Sequence, residues 1–414
     1  MRHPYRLLIV VLALLGVCAA QEEVTLNALF MQQAAYSNDD IRNMTAEFEE
    51  QHPGVTVNLE FVSYEALHNK IVTAAAAGRG GYDIVLFDVI WPAEFAEYGI
   101  LVDLTERISQ ETVDAVVPGA WTTVMSEGRY YGMPWILDTE YLFYNRAMLA
   151  EAGYDAPPAT WSELLEQART LKENGTVAYP IVWSWAQAEA MVCDYTTLLS
   201  AYDGAFFEDG EAAFQVDGGL RALQFMTSSL EEGLSNPAST ESLEEDVRRI
   251  FSSGEAAFAL NWTYMYNLAN DPAESQVAGQ VGVAPAPGIE GVSELSAMNG
   301  SMGLGVTTNS EHPDLSFAYV EYLTSRPVQE RYARLSLPIW EASYDEPAVV
   351  EGQEDLVNAA KQALGAMYPR PLMVQYPEFS TILQSNVHSA LLGRATPAEA
   401  LQETALQVRQ RDLR

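Results

Sequence analysis

The chain is short of cysteine, histidine and positive charge, and each shortage narrows the field. Only Cys18 and Cys193 occur in 414 residues. Cys18 lies in a segment that reads as an export leader, which leaves Cys193 without a partner for an internal disulfide. Stability must then come from a packed core. Cys193 sits in the apolar run Met191-Val192-Cys193, which points to a buried, inert thiol. The five histidines are scattered without ligand spacing, so no metal centre is implied. No H-E-x-x-H, G-x-S-x-G, G-x-x-x-x-G-K-[ST] or C-x-x-C occurs. Against 57 acidic residues there are only 22 Lys and Arg, a formal net charge of −35. Such a surface repels phosphate backbones and excludes nucleic acid as a partner. The charge favours solubility, and most of it reads as solvated helix faces.

Long apolar runs are also missing. The longest, Leu7–Leu15, is too short to span a bilayer, which needs about 20 apolar residues. It follows Arg2 and Arg6 and precedes the small residues Gly16-Val17-Cys18-Ala19-Ala20. Charge, apolar stretch and small-residue site are the order of a secretory signal peptide spanning 1–20, cleaved after Ala20. Cys18 raises the alternative of lipid anchoring, but Val17 stands where a lipoprotein signal carries a small residue. The free, cleaved form is therefore expected, periplasmic or otherwise extracytoplasmic.

Apolar residues make up 48% of the chain, which excludes disorder, and the length suggests two domains. Val24–Phe30 has strand character. Ser37 and Asp40 open a helix whose buried face is Ile41, Met44, Thr45 and Phe48. Val55, Val57, Leu59 and Phe61 alternate with polar residues as a strand. A second helix runs from Tyr64 to Ala77 and stops at Gly78. Tyr82–Asp88 then reads as a strand buried on both faces. Strand, helix, strand, helix, strand is an α/β layer. Thr160 and Glu163 cap a further helix, with Asn174-Gly175 as its stop. Val177–Trp183 and Ala256–Trp262 are strand candidates, and Thr396-Pro397-Ala398-Glu399 opens a last helix. Val281–Gly288, with two prolines and two glycines, reads as a segment crossing between domains.

Ligands of open α/β sheets bind beyond the carboxyl ends of the strands. Asp88 stands at such an end, with Trp91 three residues on. A carboxylate accepts hydroxyl hydrogen bonds and an indole stacks on a sugar ring, although Asp88 could equally cap the next helix. The pairing recurs: Trp135 with Asp138, Trp183 and Trp185 with Glu189, and Trp262 with Tyr264. Arg370 lies between Pro369 and Pro371 in a segment too proline-rich for helix. A lone tryptophan is usually core, but four such clusters look like the lining of one cleft. Two carboxylates such as Asp88 and Asp138 could also serve a glycosidase.

At these residues the chain resembles the family 1 extracellular solute-binding proteins, and within them those that bind trehalose, maltose and related α-glucosides. Tyr82–Ala96 is the most specific stretch. Glu47–Val55, Gly132–Trp135 through Leu142–Asn145, Ala256–Trp262 and Arg370-Pro371 also match the family's pattern. The resemblance implies that Asp88, Asp138, Trp262, Tyr264, Arg370 and, less closely, Glu189 contact sugar. Where relatives carry Gly-x-Trp-Gly, this chain has Gly300-Ser301-Met302-Gly303. Gly300 and Met302 therefore join the expected site, with Met302 packing softly where a ring would stack. Thr197 stands where some relatives have Glu.

The resemblance also implies a two-lobed periplasmic-binding-protein fold of type II-like topology. Each lobe is expected to be a mainly parallel sheet flanked by helices, with lobe 1 formed by 21–131 plus 289–337 and lobe 2 by 132–288 plus 338–414. Crossings are expected near Gly128–Trp135, Val281–Gly288 and Ser336–Pro338. The implied function is capture of a small carbohydrate between hinged lobes and delivery to the membrane permease of an ABC importer. It needs no cofactor and no catalysis, and the protein acts as a monomer. The alternatives are a secreted glycoside hydrolase, or a binding protein for a polyol, glycerophosphodiester or peptide.

Overall fold

The structure is a computed structural model that describes residues 23–32, 35–78 and 81–413. The expected leader, with Cys18 and the cleavage site after Ala20, lies outside the described residues. Ten strands form two five-stranded sheets. We number them β1 (Val24–Met31), β2 (Val55–Val62), β3 (Ile84–Asp88), β4 (Met133–Ile136), β5 (Tyr141–Asn145), β6 (Ile181–Val182), β7 (Phe258–Asn261), β8 (Val281–Ile289), β9 (Ser293–Ser296) and β10 (Met302–Val306).

The first sheet runs β2-β1-β3-β10-β4. Its β1 pairs in parallel with both β2 and β3, because the helices Asn38–Gln51 and Tyr64–Ala77 carry the chain back between strands. Ser37 and Asp40 form a reciprocal capping box, and Ile41, Met44, Thr45 and Phe48 are the buried face, as the spacing predicts. The second helix stops at Gly78, whose φ of +84° favours a residue without a Cβ. All five residues of β3 are buried. β10 runs antiparallel to β3 and β4 and is the one reversed strand of this sheet.

The second sheet runs β9-β8-β5-β7-β6. Here the expectation of a mainly parallel sheet does not hold. Only β6 and β7 pair in parallel, whereas β5–β7, β5–β8 and β8–β9 are antiparallel. Val281–Gly288 is likewise a strand and not a crossing. β8 pairs with β5 over Val281–Pro285 and with β9 from Ala286 onward. Pro285 and Pro287 flank the changeover, where the strand has a partner on one side only and a missing N–H is tolerated.

The chain crosses between the sheets later than the sequence suggests. β4 pairs with β10 in the first sheet, so the first crossing is 137–140, after Trp135. β9 belongs to the second sheet, which moves the return to 297–301. Trp340 still bridges Val116, and the short helix Pro347–Val350 packs on Arg326–Arg331, whereas Glu354–Ala363 packs on β8. The third crossing is therefore 351–353. Among the described residues no helix is long and apolar enough to cross a membrane.

Candidate functional site

A cavity of about 280 Å³ opens between the two sheets at the crossings. From the first sheet it takes Asp88 at the end of β3, Met302 at the start of β10, and Tyr64 at the start of the helix that follows β2. From the second it takes Trp262, just past β7, with Tyr264, Glu189 and Glu244, each in the first turn of a helix. Asp138 and Gly300 enter from the first two crossings, and Arg370 from the segment before the helix Tyr376–Leu391.

Arg370 ties the two halves together. Its Nη2 donates to Asp88 Oδ1 at 2.9 Å and to the Asn299 carbonyl at 3.3 Å, and its Nη1 donates to Glu189 Oε1 at 2.7 Å. Tyr64 donates to the other Asp88 oxygen at 2.9 Å. Burial disfavours the Asp88 anion and raises its pKa, with Glu189 adding to the effect and Arg370 and Tyr64 opposing it. Burial also disfavours the guanidinium, but Asp88 and Glu189 outweigh it and hold Arg370 firmly charged. Glu189 borders the cavity, yet its oxygens are already taken by Arg370, Tyr376, Ser380 and Gln384. Its work in this arrangement is to hold Arg370.

Asp138 accepts from Thr139 N at 2.9 Å and from the Thr263 hydroxyl at 2.6 Å, which fixes it to the turn after β7. Burial pushes its pKa up to about 7 against those hydrogen bonds. The Gly300 N–H donates to the Asp138 carbonyl. A Cβ on Gly300 would stand 2.2 Å from the Trp262 ring, so the missing side chain lets the indole lie against the crossing. Tyr264 is buried, and its hydroxyl makes no hydrogen bond.

Eight of the eleven expected residues border this cavity: Asp88, Asp138, Glu189, Trp262, Tyr264, Gly300, Met302 and Arg370. Three tryptophans do not. Trp135 is fully buried between Phe30 and Tyr36. Strand side chains alternate, and since Ile136 faces the cavity Trp135 must face the core. Trp185 is also buried, stacked on Trp183 with ring centroids 4.9 Å apart. Trp91 lies behind the cavity wall, stacked on Tyr64 and packed against Phe95. A second correction concerns Cys193. It is buried as expected, but it lines the cavity, and burial raises its pKa well above that of an ordinary thiol.

Sequence reasoning missed Tyr64, Glu65, Glu244 and Glu245, all of which border the cavity. Tyr64 follows the carboxyl end of β2, the same positional signal that flagged Asp88. Glu244 and Glu245 open the helix Glu244–Ser252 and read in sequence as an acidic first turn. Behind them Glu140 and Asp194 face one another, fully buried. Burial raises both, Glu140 to about 7; Glu140 raises Asp194 further, while hydrogen bonds from Asp194 and Thr197 hold Glu140 down. Thr197 donates to Glu140 at 2.5 Å.

Residues 30–330 match the family model described as bacterial extracellular solute-binding protein. The chain superimposes on the maltose-bound MalE3 of T. maritima with a TM-score of 0.87 and 30% identity, covering 94% of this chain and 99% of that one. An ABC transporter solute-binding protein from Thermotoga lettingae, solved with α-D-tagatose, gives a TM-score of 0.83 and 27% identity over 93% and 99%. A probable ABC transporter-binding protein of Deinococcus radiodurans is 29% identical over 336 residues, 77% of each chain. The family match spans well over half of the sequence: the chain belongs to the bacterial extracellular solute-binding proteins.

Proposed function

We propose that this chain binds a carbohydrate, an α-glucoside such as maltose or trehalose, in the cavity between its two sheets and delivers it to the permease of an ABC importer. The observation that carries the proposal is the composition of the cavity: carboxylates, an indole and a phenol from opposite sheets meet across one space. Carboxylates accept sugar hydroxyls, and the aromatic rings supply stacking faces. The relatives solved with maltose and with α-D-tagatose support a sugar-sized ligand. With three crossings as hinges, contacts from both halves favour a closed form, and the importer recognises that form. The leader at 1–20 would place the monomeric protein outside the cytoplasm.

Catalysis is not part of this reading. Asp88 is committed to Arg370 and Tyr64, and Asp138 is turned onto Thr139 and Thr263, so neither is poised as the free acid of a hydrolase. A phosphodiester ligand is also disfavoured, because Arg370 already serves two carboxylates. Calorimetric titration of the mature protein against maltose, trehalose, tagatose and polyols tests the proposal, with glucose release followed in parallel. Saturable binding of a sugar at one site without turnover is expected. Hydrolysis, or no binding across the panel, would overturn it.

A further inference from the structure

Charge in the cavity is lopsided. Six carboxylates border it, and Arg370 is the one cationic side chain among its lining residues. Arg370 is shared by Asp88 and Glu189. Glu245 pairs with Arg248, 3.1 Å away, which also reaches Glu274. Asp138 is held by neutral donors. Among the described residues, Glu65 and Glu244 form no ion pair. They stand on helices following β2 of the first sheet and preceding β7 of the second, and burial, with the charge of Glu65 adding to it, raises the Glu244 pKa.

Two further observations concern what such a space would hold. Tyr64, Trp262 and Tyr264 all border it, and aromatic faces attract cations as well as sugar rings. The Tyr264 hydroxyl is buried, unpartnered and able to accept a hydrogen bond. A neutral sugar can occupy carboxylate lone pairs but leaves the excess negative charge uncompensated. A protonated amine offers three donors and the missing charge together.

Resting on the carbohydrate reading above, we propose that the cavity prefers a sugar carrying a protonated amine, held between Glu65 and Glu244 against Trp262 and Tyr264. The test is calorimetry with matched ligands: glucose, maltose and trehalose, their 2-amino-2-deoxy derivatives, and the N-acetylated forms of those derivatives. The amine is expected to bind at least about 10-fold more tightly than its parent, which corresponds to 1.4 kcal/mol. N-acetylation should abolish that preference, since it keeps the substituent and removes the charge. Glu244→Gln should narrow the amine-to-parent ratio, and so should Glu65→Gln, at an exposed position where folding is not at risk. Parent sugars that bind as tightly as their amines overturn the inference and leave the carbohydrate reading standing. Failure of all three series to bind overturns both.

Discussion

Replacing Arg370 by methionine keeps an unbranched apolar stem and removes the guanidinium with its charge. The Arg370 side chain is 1% exposed, with Asp88 at 7% and Glu189 at 10%, so solvent cannot take over the lost contacts. Removing one member of such a buried network leaves uncompensated carboxylates and costs about 3–5 kcal/mol. Urea unfolding at pH 7 should show a lower midpoint at unchanged slope, the signature of lost stability in an intact fold. The deficit should depend on pH. Burial already raises the Asp88 pKa with Arg370 present, and without the guanidinium it rises further. A carboxyl whose folded pKa lies above its unfolded value favours the fold at low pH and loses that contribution as pH rises. The Arg370→Met deficit should therefore shrink toward pH 5 and grow toward pH 8. Adding Glu189→Gln should restore part of the loss, with a coupling of about 1 kcal/mol or more, because the two side chains touch. An Arg370→Met protein as stable as wild type, or Glu189→Gln acting identically in both backgrounds, would refute the reasoning.

Two other outcomes follow from the cavity and its surroundings. Glu140 is raised to about 7 by burial beside Asp194, so its contribution is fully present below about pH 4.5 and is lost as pH rises through about 7. Glu140→Gln should gain on the order of 1–3 kcal/mol over wild type at pH 8 and little at pH 5, read by thermal unfolding across that range. Gly300→Ala places a methyl group 2.2 Å from the Trp262 ring. The ring must shift, and since both residues border the cavity sugar affinity should fall about 10-fold while the unfolding midpoint holds. Equal affinity would mean that the indole does not carry the ligand.

Local patterning was legible where one chemical rule acts alone. The capping boxes at Ser37, Thr160 and Thr396 stand where the sequence places them, and the buried strand Ile84–Asp88 lies within the expected Tyr82–Asp88. Pairing partners were not legible. β8 joins the second sheet by pairing with β5, a strand more than a hundred residues away, and β9 joins through β8; the prolines of β8 conceal it. Within the site, position relative to strand ends found Asp88 and Trp262. It could not tell which face of β4 the Trp135 ring would take, nor that Trp91 supports Tyr64 from behind. Glu65 and Glu244 were invisible because an acidic first turn looks the same whether it faces solvent or a cavity. Glu189 was found, but its engagement by Arg370, Tyr376 and Ser380 depends on a segment about 180 residues later in the chain.

The central claim is that the space between Asp88 and Trp262 is where the sugar sits. Calorimetry on wild type, Asp88→Asn, Trp262→Ala and the double variant, each checked for folding by circular dichroism, tests it directly. Asp88→Asn keeps an acceptor for Arg370 but removes a charged hydrogen bond worth about 1.5–3 kcal/mol, so affinity should fall by roughly 10-fold or more. Trp262→Ala should cost at least as much through lost stacking. The double variant should lose less than the two single losses together, since both groups act through the same closed form. Folded variants that bind the sugar as wild type does would contradict the account and move the site elsewhere in the protein.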